Sequence, residues 1–197
     1  IYLSLTDYIQ HKFAPGMPAA NDFYRRLDEQ FGRLEALGAV VGLVADHGMN
    51  DKARPDDAPN VIYLQDLLDG EFGAGAMRVI LPITDPYVRH HGALGGYARI
   101  YCTGARPQAV MKFIATIEGV EQVLDKDGAC RAFELPPDRE GDVAVISDAG
   151  TVLGGDAASH DLSGLKDHRL RSHGGVAERR VPFILSSPLN QAYAARA

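Results

Sequence analysis

Cysteine is scarce in this chain. Its 197 residues include two, Cys102 and Cys130, far apart and without metal-type spacing. That argues against a disulfide framework and for two buried thiols. A basic surplus is also lacking. The formal net charge is −6, which leaves little to displace counterions from a nucleic-acid backbone, so no nucleic-acid partner is expected, although local basic pockets stay open. No apolar run approaches the ~20 residues of a membrane span, and no signal peptide is visible. The expectation is a cytoplasmic protein without a membrane partner. An initiator methionine is missing too: Ile1 stands inside a strand-like apolar stretch, Ile1 to Leu5, so the true N-terminus is expected to lie outside these residues. What remains is ordinary globular composition, 46% apolar and 23% charged, and enough length for one domain with a smaller insertion.

The stretch that organises the chain is Val40 to Asn50, VVGLVADHGMN. Its apolar, β-branched run reads as a buried parallel strand, Ala39 to Ala45. The run stops at Asp46-His47-Gly48, a carboxylate and an imidazole at the C-terminal end of a strand, where an open α/β sheet places its ligand site. A polar turn made by Gly48 would explain the same residues. Two other stretches have a similar form: an apolar run leading to Asp7 and His11, and His173-Gly174 ahead of a further apolar run.

Between the first two stretches, Phe23, Leu27, Phe31, Leu34 and Leu37 recur at near-helical spacing, with Asn21 as a plausible N-cap and Gly38 as the stop. Strand, helix and strand then form a right-handed crossover, which would bring Asp7 and Asp46-His47 to one edge of the sheet. Val61 to Asp69 reads as a short strand and a helical turn. Beyond it lies a small α+β layer: strands Met77 to Ile83, Tyr97 to Thr103, Val120 to Asp125 and Val143 to Ser147, with a helix at Pro107 to Glu118. Gly150 to Gly175 is expected to be a long loop, and Val181 to Ser186 a final core strand.

Asp7 and His11 stand four residues apart, so on a helix both face one way and can share one ion. Nitrogen and oxygen donors with open positions suit a catalytic zinc site. Three ligands in one group and two in another suggest two metals, and a pair ~3.5–4 Å apart is a standard clamp for displacement at phosphorus. The same spacing recurs in Asp156 and His160, where a functional role is not expected. His90-His91 reads as a solvated turn of the small layer, His168 as surface, and Lys12 as an exposed lysine without a specific task.

Taken together, TDYIQHKFAPG (Thr6 to Gly16), ADHGMN (Ala45 to Asn50) and RSHGG (Arg171 to Gly175) resemble the alkaline phosphatase superfamily, in its nucleotide pyrophosphatase/phosphodiesterase-like branch. The first motif is most similar to that of the phosphonoacetate hydrolase family. The resemblance implies an alkaline-phosphatase-like α/β core, a mostly parallel sheet flanked by helices, over residues 1–76 and 149–197, with a small inserted α+β cap at 77–148. It implies that Asp7, His11 and His173 hold one zinc and that Asp46 and His47 hold a second.

The activity implied is hydrolysis of the carbon–phosphorus bond of phosphonoacetate to acetate and phosphate. A threonine nucleophile, transiently phosphorylated, and a further Asp ligand belong to the pattern, but neither is assignable in this sequence. The chain is therefore expected to be a recorded part of an intact enzyme rather than a genuine truncation. The implied partner is a small anionic phosphonate; substrate-binding residues are unassigned, and a homo-oligomer is left open. A nucleotide phosphodiesterase or pyrophosphatase of the same superfamily is the alternative activity. A non-catalytic metal-binding or partner-binding domain is the alternative of another class.

Overall fold

The motif helix and the long helix open the structure, a computed structural model that describes residues 2–3, 6–83, 91–165 and 168–194. Helix α1 (Asp7–Lys12) carries the D-x-x-x-H pattern. Helix α2 (Pro18–Ala36) starts earlier than the Asn21 expectation, with Pro18 in its first turn, where a missing N–H costs nothing. It ends as expected at Gly38, whose φ of +88° lets Gly38 and Ala39 donate to the Glu35 and Leu34 carbonyls.

The strand elements follow as β1 (Gly42–Val44), β2 (Asn50–Asp51), β3 (Val61–Tyr63), β4 (Met77–Ile80), β5 (Tyr97–Cys102), β6 (Val120–Asp125), β7 (Val143–Ser147), β8 (Val152–Gly154), β9 (Arg171–Ser172) and β10 (Phe183–Leu185). Helices α3 (Leu64–Phe72), α4 (Pro107–Ile114), α5 (Lys126–Phe133) and α6 (Gln191–Ala194) complete the chain.

Most of the apolar burial belongs to one antiparallel sheet, ordered β4-β5-β7-β6. Every residue of β7 is buried. Ala98, Ile100, Val143 and Val145 from the sheet pack with Val110 and Ile114 of α4 into a single core. The same core takes in Ile62, Leu64 and Leu68 around β3 and α3, and Leu153 of β8. Strands β3 and β8 pair in parallel, and Ile62 and Leu153 pack this small ladder against the larger sheet.

The α/β class holds, while several local expectations are corrected. The organising strand shrinks to β1, which pairs antiparallel with β10 rather than parallel with a neighbour, and Val40 and Val44 are exposed. Its counterpart β10 is an exposed ladder strand and not a core strand, with Phe183 and Ile184 open to solvent. Among the described residues the ladders are mostly antiparallel, β3–β8 being the parallel one. The Gly150 to Gly175 loop contains β8, β9 and short 3-10 turns, and α5 was not anticipated. Of the opening strand, Ile1, Ser4 and Leu5 lie outside the described residues.

Candidate metal centre

Helix α1 does what its spacing requires. Asp7 lies in the first turn and His11 one turn on, their Oδ1 and Nε2 atoms 3.4 Å apart. The Asp7 side chain is 57% exposed and that of His11 fully buried, so the pair faces solvent through its carboxylate. The His11 Nδ1 lies 2.7 Å from the Arg171 carbonyl. A carbonyl only accepts, so Nδ1 carries a proton and Nε2 is the ring atom turned toward Asp7. Arg171 returns the contact by donating from Nε to the Gln10 carbonyl at 2.8 Å, which fixes α1 against β9.

His173 follows β9 directly. Ligand atoms of Asp7, His11 and His173 all lie within 4.8 Å of one another. Burial pushes the His173 imidazole down to a pKa of about 4, with His47 and His11 adding to the shift and the two aspartates opposing it. It is therefore neutral near pH 7, the form that binds a cation. The His47 ring stacks on His173 at 3.5 Å between centroids with 9° between planes. Asp46 accepts from the His47 backbone N–H at 3.2 Å, and its Oδ1 lies 3.6 Å from His47 Nε2. Adjacent residues that would face apart on a strand are thus turned to one side after β1. Asp7, His11 and His173 thus gather with the His47 ring stacked on His173, while the 90% exposed Asp46 side chain reaches them only through its contact with His47.

A sixth residue joins them. His91 was expected in a solvated turn, yet it is 4% exposed and stacks on His11 at 4.4 Å; His90 lies outside the described residues. The correction has a tertiary cause, since the segment 91–97 is drawn onto the His173 turn. The Gly96 N–H donates to the His173 carbonyl at 2.8 Å, and a Cβ on Gly96 would stand 2.4 Å from the Gly175 nitrogen. Only glycine permits that approach. The Gly95-Gly96 pair ahead of β5 was the available sequence signal.

The second D-x-x-x-H pair is structural. His160 accepts from the Gly155 N–H at Nε2 and sits 2.7 Å from the Gly92 carbonyl at Nδ1, while Asp156 caps a short turn through Ser159. His168 is half-buried rather than on the surface. Cys102 and Cys130 are free, half-buried thiols.

The donor set of one carboxylate and two imidazoles, one held in a fixed tautomer and one held neutral, fits a divalent cation with open positions. A family model described as "Type I phosphodiesterase / nucleotide pyrophosphatase" matches residues 1–175. The crystal structure of phosphonoacetate hydrolase from Sinorhizobium meliloti 1021 in complex with phosphonoacetate superposes with a TM-score of 0.86 at 50% identity, over 94% of this chain and 45% of that one. The chain is 60% identical over 30 residues to phosphonoacetate hydrolase of Penicillium oxalicum, 15% of this chain and 42% of the relative. It thus spans less than half the length of either. Murine ectonucleotide pyrophosphatase / phosphodiesterase 5 shares the fold, with a TM-score of 0.61 at 18% identity over 95% of this chain and 46% of that one.

Proposed function

Because the chain belongs to the type I phosphodiesterase / nucleotide pyrophosphatase family, we propose that it forms the metal-binding part of a zinc-dependent hydrolase that splits phosphonoacetate into acetate and phosphate. The observation that carries this reading is the meeting of Asp7, His11 and His173 beside His47 in a chain half-identical to an enzyme solved with phosphonoacetate. Asp7, His11 and His173 would hold one zinc, Asp46 and His47 the other.

When bound, such cations supply Lewis-acid stabilisation of charge on the phosphoryl group and on the enolate-like leaving group. The chain's own residues prepare that site. The Arg171 carbonyl keeps the His11 Nε2 facing Asp7, and burial keeps His173 unprotonated. Asp7, Asp46 and the further Asp ligand expected from the family resemblance would bring three negative charges against four positive ones from two divalent ions, and the surplus suits a small anionic substrate. His91 lies against the ligand cluster, stacked on the His11 ring. In the overall reaction the phosphorus–carbon bond breaks, the water oxygen joins phosphorus, and the acetate carbon gains a proton. The threonine nucleophile expected from the family resemblance is not assigned among these residues. We place the cap at 77–148 and the metal-binding core at 1–76 and 149–197, in a cytoplasmic enzyme.

The test is phosphate release from phosphonoacetate, beside hydrolysis of a nitrophenyl phosphodiester, before chelation, after it, and after zinc return. Zinc-restored release from phosphonoacetate is expected. Preference for the diester would transfer the activity to the nucleotide phosphodiesterase reading, which the family match also favours. Zinc-independent turnover would overturn the metal assignment.

A further inference from the structure

The two turns that carry His47 and His173 leave opposite strands of one very short ladder. Strands β2 and β9 pair antiparallel, Asn50 opposite Ser172. On the site side of that pair the chains part, one into His47-Gly48-Met49 and the other into His173-Gly174-Gly175. Two residue pairs of ladder are too few to fix the spread of such a fork. Something else must set the distance between the turns.

Glu178 occupies the fork. It is 2% exposed, and Lys52, with which it pairs at 3.0 Å, is fully buried. One carboxylate oxygen accepts from Asn50 Nδ2 at 2.6 Å and from Lys52 Nζ at 3.0 Å, which ties it to β2 and the residue after it. The other oxygen accepts from the Gly175 N–H at 2.8 Å, two residues past His173. The backbone carbonyl of Glu178 accepts from the Gly48 N–H at 2.7 Å, next to His47. Lys52 adds a bond to the Asp148 carbonyl at 3.3 Å, anchoring the pair beside β7. A Cβ on Gly48 or Gly175 would stand 3.2 Å or 3.0 Å from Glu178 atoms, so both turns are drawn close around it.

We propose that Glu178, neutralised by Lys52, is a positioning residue that sets the separation of the His47 and His173 turns and hence couples the two cation positions. The inference rests on the two-cation reading of the site. A buried ion pair contributes little net stability compared with apolar residues of similar volume, whereas removing one partner alone is costly. Polar groups that orient metal ligands typically control affinity by ~10–100-fold. Those two facts separate a positioning role from a purely structural one.

The experiment measures zinc affinity by calorimetry, cobalt absorption spectra and thermal midpoints for wild type, Glu178→Gln, and the paired variant Glu178→Leu with Lys52→Met. Glu178→Gln keeps the side-chain shape but sets an amide against the N–H of Gly175 or the Lys52 ammonium. It is expected to bind zinc ~10–100-fold more weakly with altered cobalt bands. The paired variant is expected to recover a thermal midpoint near wild type while its zinc affinity stays low. Wild-type zinc affinity and cobalt bands in Glu178→Gln, or in a paired variant of wild-type stability, would overturn the inference alone. A wild-type protein that binds no zinc would overturn the two-cation reading and this inference with it.

Discussion

The four-stranded sheet and the metal edge bury opposite kinds of side chain. In the sheet, Ala98, Ile100, Val143, Val145 and Ile146 are all 1% exposed or less, and the ladders run for four residue pairs or more. At the metal edge, ladders of two and three pairs leave His11, Lys52, His91, Arg171, Ser172 and Glu178 as the buried groups. Dispersion and apolar burial hold the first region, and a small loss of volume there is felt as stability. Directional polar contacts hold the second, and a loss there is felt first as misplaced ligands. Stability and chemistry are therefore expected to respond to different substitutions.

The largest dissociation is expected at His173. His173→Ala should remove one cation and lower turnover by at least ~10²-fold, as when a group stabilising transition-state charge is removed, while circular dichroism stays that of the wild type. Full activity in this variant would end the ligand assignment. The converse variant, Ile100→Ala, should cost about 2–5 kcal/mol in denaturant unfolding and leave zinc affinity unchanged. An equal loss of zinc binding would show that the two regions are not separable. Gly96→Ala stands on their seam, where the new methyl meets the Gly175 backbone. It should cost about 1–3 kcal/mol and weaken zinc binding together, since the Gly96 N–H also holds the His173 carbonyl.

The smallest effect is a pH slope in the zinc-free protein. His173 is held at about 4 against an ordinary value of 6.5. Between those values the unfolded chain binds the extra proton, so its stability contribution is full above pH 6.5 and declines as pH falls toward 4. His173→Ala should flatten that part of the profile. A slope of opposite sign would mean that His173 is protonated in the folded protein.

Much of the site was legible because its parts are local. Four residues on a helix bring Asp7 and His11 to one side whatever the rest of the chain does, and a polar turn after an apolar strand marks Asp46 and His47. The strands of the four-stranded sheet were also readable, β6 and β7 to the residue, since alternation and turn residues bound them. Three things were not legible. Val40 and Val44 have the composition of buried residues, yet apolar character states what a strand can bury and not what lies over it. His91 reads as a turn residue until Gly96 closes on Gly175, a contact between segments remote in sequence. Glu178 and Lys52 look like surface charges, because pairing between distant residues leaves no local pattern.

The most direct test is anomalous X-ray scattering at the zinc edge from crystals of the protein grown with zinc. Two adjacent peaks are expected, one among Asp7, His11 and His173 and one at Asp46 and His47. An empty His173 cluster in crystals that hold zinc elsewhere, or zinc bound without Asp7 and His11, would contradict the account.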